Sequence, residues 1–95
     1  MEVSEGLLFL GGISAESLLE RFGSPLYVYE EDVLISRFRK MRNCFPPDEV
    51  DIHYAMKANY NPSLLSLLCR EGACIDAVSS GDVRMALEVG FDPHR

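Results

Sequence analysis

The chain has no tryptophan, only two histidines, and no apolar run long enough to cross a bilayer. The longest stretch near the start is Leu7 to Leu10, far short of the roughly 20 residues a spanning helix needs. No basic residue precedes it, so it does not read as a signal peptide, and the cytoplasm is the default location. An excess of positive charge is missing too: the net charge is −6. That argues against nucleic acid or an anionic membrane as partner, since both attract basic surfaces. The one basic cluster, Arg37, Arg39, Lys40 and Arg42, falls on a predicted helix and reads as a solvated face.

Cysteine is scarce and odd in number. Cys44, Cys69 and Cys74 form no C-x-x-C pair, and no histidine stands at a zinc-finger spacing. The pattern speaks against a disulfide framework and against a structural zinc site, so no metal is expected, and favours free buried thiols in a reducing compartment. With 47% hydrophobic and 25% charged residues, the composition is that of an ordinary globular protein. Ninety-five residues can bury roughly 60–65% of their unfolded surface, enough for one small core.

Along the chain, Leu7 to Leu10 is a predicted strand ended by Gly11-Gly12. Ser14 is a plausible N-cap for a helix whose apolar positions Leu18, Leu19 and Phe22 stand at helical spacing, with Gly23 closing it. Pro25 forces an extended lead into residues 26–29, Leu-Tyr-Val-Tyr, predicted as a strand. From Asp32 to about Phe45 the residues Leu34, Phe38, Met41 and Phe45 recur at three- and four-residue steps. They predict an amphipathic helix closed by Pro46-Pro47. Residues 51–56 follow as a strand. Asn61-Pro62 opens a helix, because asparagine caps well and proline at the first position loses only a donor that would be unpaired anyway. Leu64, Leu65, Leu67 and Leu68 are its apolar face and Gly72 ends it. Residues 73–78 are the next strand. Ser79-x-x-Asp82 resembles a capping box opening a helix that stops at Gly90. This alternation predicts α/β architecture with parallel strands joined by right-handed crossovers.

One segment carries chemistry. If His53-Tyr-Ala-Met-Lys-Ala-Asn59 runs on as a strand, side chains alternate. His53, Ala55 and Lys57 then share one face, and Ile52, Tyr54 and Met56 share the other. The apolar set suits packing against helices, which leaves Lys57 on the opposite side at the strand's C-terminal end. In a (β/α)8 barrel that end is the catalytic mouth. A lysine that frays into solvent is the bland reading on local grounds alone, since lysines are seldom buried.

The same segment resembles the lysine motif of the fold-type III pyridoxal-phosphate (PLP) decarboxylases, which act on diaminopimelate, ornithine and arginine. Three further stretches agree in order. Gly23-Ser-Pro-Leu-Tyr-Val-Tyr29 resembles the G-T-P-L-Y-V-Y strand of diaminopimelate decarboxylases. Asp76-Ala-Val-Ser-Ser-Gly-Asp82 is similar to D-x-x-S-x-G-E on the second barrel strand. Ala86-Leu-Glu-Val-Gly-Phe-Asp-Pro93 resembles the helix end and turn after it.

The resemblance implies a PLP-binding TIM barrel of the alanine racemase type. Residues 1–31 would form a strand–helix–strand segment packing with a β-domain, and residues 32–95 the first βα units of the barrel. It implies that Lys57 is catalytic and holds PLP covalently, and that Asp76 lies near the cofactor; the rival role for Asp76 is a structural carboxylate. An amine must be unprotonated to attack a carbonyl, and a desolvated pocket favours that form. Asp82 departs from the family's glutamate by one methylene, and its expected role is helix capping. Ser79, Ser80 and Gly81 at the helix start read as a cap ahead of an anion site, and His53 as a core histidine with a hydrogen-bond partner.

By the same resemblance the remaining cofactor and substrate groups lie in later parts of a longer enzyme, a homodimer acting on a small amino acid. The 95 residues alone are expected to be inactive, to bind PLP poorly and to fold marginally. The wording of residues 23–29 favours diaminopimelate. Ornithine, arginine or carboxynorspermidine decarboxylation, a PLP-binding regulatory protein and a silent relative stand as alternatives. The regulatory protein's lysine motif is worded differently, and an intact lysine counts against silence.

Overall fold

The computed structural model describes residues 1–95 as two compact units, Met1–Leu34 and Ile35–Arg95. Each is built from caps and turns that the local sequence specifies. None of the helices is long and apolar enough to cross a membrane.

In the first unit, strands β1 (Glu2–Ser4), β2 (Leu7–Leu10) and β3 (Ile13–Ser14) form an antiparallel meander. Glu2 pairs with Phe9 and Leu10 with Ile13. The turns bring Glu5, Gly6, Gly11 and Gly12 to positive φ, which glycine adopts without penalty. Helix α1 (Ala15–Phe22) begins as expected, with Ser14 Oγ accepting the Ser17 N–H at 3.2 Å, and packs against β2 and β3. It stops at Gly23, whose N–H reaches Leu19 O at 2.8 Å.

Two expectations for this unit need correction. The segment is not strand–helix–strand, because β1 and β3 flank β2. Residues 26–29 are not a strand in this structure either: no neighbouring strand pairs with them, and Tyr27 and Tyr29 are exposed. Aromatic and β-branched composition favours a pleated surface but does not supply the partner that a ladder requires. Glu30 ties the unit together instead, accepting from the Met1 ammonium at 2.7 Å and the Gly11 N–H at 3.0 Å.

The second unit is α/β. Helix α2 (Glu31–Arg42) spans the boundary between the units and leads to β4 (His53–Ala55). A 3-10 turn (Met56–Ala58), α3 (Pro62–Arg70), β5 (Cys74–Asp76) and α4 (Ser80–Val89) follow. Strands β4 and β5 are parallel, with His53 opposite Cys74, Tyr54 opposite Ile75 and Ala55 opposite Asp76. The core joins Met56, Leu65, Ala86 and Phe91, flanked by Tyr54, Ile75, Ala77 and Met85. Of the expected helix-facing set Ile52, Tyr54 and Met56, the last two join this core, Met56 from the 3-10 turn rather than from β4, and Ile52 does not.

Both later helices end alike. Beyond α3, Gly72 takes φ 90° and the N–H of Ala73 bonds to Leu68 O at 3.0 Å. Beyond α4, Gly90 takes φ 116° and the N–H of Phe91 bonds to Ala86 O at 3.0 Å. A glycine in the left-handed region followed by a buried apolar residue is a Schellman ending. Here it seats Ala73 and Phe91 in the interior, 8% and 5% exposed. At their starts, Asn61 Oδ1 accepts from Ser63 N–H at 3.0 Å and Ser79 Oγ from Asp82 N–H at 3.1 Å. Asp82 returns a bond, but to the N–H of Val78 at 3.1 Å rather than to that of Ser79.

Helix α2 buries Phe38 alone, while Met41 and Phe45 remain exposed. Its basic cluster is more than a solvated face. Arg39 makes a two-pronged ion pair with Glu71, at 2.7 and 2.8 Å, and Arg42 donates to the Glu71 carbonyl at 2.8 Å. The Arg39 hydrogen bonds hold the Glu71 carboxyl below its ordinary value of 4.5. Because the folded value is the lower one, the pair stabilises fully above about pH 4.5 and is lost as pH falls through the folded value. We therefore expect the urea midpoint of the full-length protein to exceed that of Glu71→Gln above pH 4.5, with the gap closing as pH falls. Glu30 is also held low, chiefly by the Met1 ammonium, but it is common to both proteins and drops out of the difference. A gap that stays constant with pH would contradict the role of the charge.

Candidate functional site

The chemistry gathers around the face of β4 and β5 away from the helices. On β4, His53 and Ala55 occupy that face, and on β5 Cys74 and Asp76, because side chains alternate and the two strands are in parallel register. Lys57 follows immediately, and here the structure corrects the expectation. The strand ends at Ala55, and Lys57 lies in the middle of the 3-10 turn Met56–Ala58. Strict alternation thus stops before it.

The turn has a physical origin. Met56 is fully buried against Leu65, Ala86 and Phe91, and the Tyr54 hydroxyl donates to the Asn59 carbonyl at 3.0 Å. These two anchors shorten the path from 54 to 59 and tighten the chain between them. A 3-10 helix has three residues per turn, so with Met56 pointing into the core its neighbour Lys57 is carried to the surface. Lys57 is exposed, and no hydrogen bond or ion pair engages its Nζ.

Asp76 is the last residue of β5 and is opposite Ala55, two residues before Lys57. It is exposed, at the same C-terminal end of the sheet. With His53, Ile75, Val83, Ala86 and Phe91 it lines an open groove of about 550 Å3 along the free side of β5. Lys57 is not among the lining residues. A free amine at a strand end, with a carboxylate at the matching end of the neighbouring strand, fits a group that offers a carbonyl to the amine and a polar edge to the acid. Ser79, Ser80 and Gly81 make the helix cap, with Ser79 bonded to Asp82.

His53 differs from expectation. It is exposed rather than buried, although it has a partner: its Nδ1 lies 3.3 Å from Ile75 O. Of the three thiols, Cys74 is buried, Cys69 half-buried and Cys44 exposed, so only one fits a fully buried thiol. Linear spacing also hid a cluster. Asp51, His53 and Cys74 each bring one ligand-type atom within 4.8 Å of the others.

The profile of the family described as pyridoxal-dependent decarboxylase, pyridoxal binding domain, matches residues 31–95, and the chain belongs to that family. Its relatives then narrow the comparison. A diaminopimelate decarboxylase of Aquifex aeolicus is 42% identical over 95 residues, all of this chain and 22% of the relative. One of Methanothermobacter thermautotrophicus is 39% identical, covering 100% of the chain and 23% of its own length. A crystal structure from Aquifex aeolicus matches 99% of the chain and 23% of its own with a TM-score of 0.93 at 42% identity. A diaminopimelate decarboxylase structure from M. jannaschi gives 0.89 at 31% identity, over 95% of this chain and 22% of its own. The chain therefore spans about a fifth of the length of these relatives. The expectation of a PLP-dependent family holds.

Proposed function

We propose that the full-length protein is a PLP-dependent carboxy-lyase of the cytoplasm that converts meso-diaminopimelate to L-lysine and works as a homodimer. The observation that carries this reading is Lys57: an unpaired amine on the turn after β4, inside a chain 42% identical throughout to a diaminopimelate decarboxylase. Residues 32–95 are the first βα units of a (β/α)8 barrel of the alanine racemase type, and residues 1–31 pack with a β-domain. The parallel β4–β5 pair joined by α3 supports the first assignment, since βα units with right-handed crossovers build such barrels. By themselves the 95 residues hold the cofactor poorly.

When bound, PLP supplies an electron sink for the pair left behind when the α-carboxylate departs as carbon dioxide. Lys57 does the holding and the proton work. Its Nζ would hold the cofactor covalently, and as a free amine would be the group placed to deliver a proton to the substrate's α-carbon. Asp76 presents its carboxylate at the neighbouring strand end and orients the cofactor. The turn itself fixes where Nζ starts, because Met56 and Tyr54 anchor both sides of it.

Substrate choice is tested by kcat/KM on meso-diaminopimelate, ornithine and arginine, since specificity is that ratio. We expect diaminopimelate to lead by a factor on the order of 100 or more, because a site built to pair a distal polar group penalises a substrate lacking it. A preference for ornithine or arginine would reassign the substrate and leave the lysine's role standing.

A further inference from the structure

We propose that Asp51, His53 and Cys74 form a site for a divalent metal ion of the zinc class, at the end of β4 and β5 opposite Lys57. The inference is independent of the decarboxylase reading. It rests first on register. His53 and Cys74 are directly opposite each other in the first pair of the parallel ladder, on the face away from the helices. Asp51 lies two residues before His53, on the segment leading into β4. Period-two alternation places the His53 and Cys74 side chains on one side, and Asp51 joins them there, since the ligand-type atoms of all three lie within 4.8 Å of one another.

The donor set is selective. A thiolate, an imidazole and a carboxylate suit a borderline-soft ion such as zinc, whereas magnesium and calcium prefer oxygen alone. The hydrogen bonding around the cluster has the form that metal-binding histidines use. A carbonyl only accepts, so the contact between His53 Nδ1 and Ile75 O at 3.3 Å requires the proton on Nδ1. That leaves the Nε2 lone pair free, and a backbone carbonyl fixing the ring's other nitrogen is the usual outer support of such a ligand. Asp51 is held likewise: its Oδ1 accepts from Arg95 at 2.6 Å, which leaves Oδ2 for an ion.

Little movement is needed. Ligand atoms about 2.0–2.3 Å from a tetrahedral ion are roughly 3.3–3.8 Å apart, so the cluster closes by about 1 Å. Asp51 and His53 are exposed, and their contacts with Arg95 and Ile75 O already hold them beside Cys74, which is 2% exposed. The Cys74 thiol loses its proton to solvent on binding, so the site offers the ion one thiolate and one carboxylate, with the Arg95 guanidinium paired to Asp51 as a further charge beside them. Water takes the fourth position. The ion would bridge the segment before β4 to β5 and pin the first pair of the ladder.

The test uses the full-length protein, treated with a chelator and then titrated separately with cobalt chloride and zinc chloride. We expect cobalt to give near-ultraviolet thiolate-to-metal absorption, and stoichiometric zinc to abolish it and raise the Tm by about 4 °C or more. Cys74→Ser removes the absorption, whereas Cys44→Ser and Cys69→Ser keep it. His53→Asn, with a circular dichroism spectrum matching the parent's as the check on folding, weakens zinc binding by about tenfold or more. No cobalt–thiolate absorption in the parent protein, or absorption that survives Cys74→Ser, would overturn the proposal; so would unchanged zinc affinity in His53→Asn. Borohydride labelling of Lys57 proceeds with or without zinc, so failure here leaves the decarboxylase reading separately testable.

Discussion

Replacing Lys57 with alanine will leave the full-length protein colourless and will lower decarboxylation by a factor on the order of 100–10,000 or more. That is the range associated with losing a positioned proton-transfer group, and in the proposed function the same side chain also holds the cofactor. The effect has a structural reason to be local. Lys57 is exposed and unpaired, so alanine removes no packing and orphans no partner. The anchors that shape its turn, Met56 and the Tyr54–Asn59 bond, are untouched. A folded variant with no bound PLP, melting cooperatively like the PLP-free parent, is the expected outcome. One that retained both colour and turnover would remove Lys57 from the site.

The second large effect is on stability. Leu65→Ala will destabilise the full-length protein by about 2–5 kcal/mol, the usual cost of cutting a buried leucine back to alanine. Leu65 is fully buried, and it joins α3 to Met56 at the lysine turn and to Ala86 and Phe91 of the last helix and its ending. Its loss leaves a cavity where three elements meet, so little collapse can relieve it. Leu65→Met, which nearly conserves volume, will cost less than about 1.5 kcal/mol. Denaturant unfolding of the two variants beside the parent gives the comparison. Equal costs would mean that Leu65 is not a packing centre.

How much of this was legible in the sequence depends on the range of the interaction. The caps at Ser14, Asn61 and Ser79 and the glycine endings at Gly72 and Gly90 need only a few adjacent residues, and each appears where expected. The parallel β4–β5 pair followed from strand–helix–strand order. Partner-dependent features were harder. β1 and β3 are three and two residues long, exposed except at the half-buried Ser14, and only pairing with β2 makes them strands. Residues 26–29 have strand-like composition and no partner.

The site divides along the same line. Lys57 and Asp76 stood out through motifs, but the 3-10 turn under Lys57 depends on the burial of Met56 and on the Tyr54–Asn59 bond. Neither shows in the alternation of His-Tyr-Ala-Met-Lys. His53 reads as a core residue because it shares the face of Lys57, two residues deeper along the strand. Asp51, His53 and Cys74 meet only because His53 and Cys74, far apart in sequence, are aligned as neighbours across a ladder. Linear cysteine spacing carries no trace of that.

The central claim is that Lys57 holds the cofactor, and one measurement addresses it most directly. The full-length protein is loaded with PLP, reduced with borohydride and digested, and the labelled peptide is identified by mass spectrometry. The account predicts a phosphopyridoxyl group on Lys57, in the peptide that contains His53-Tyr-Ala-Met-Lys-Ala-Asn59. A label on Lys40 or any other lysine, with Lys57 unmodified, would contradict it.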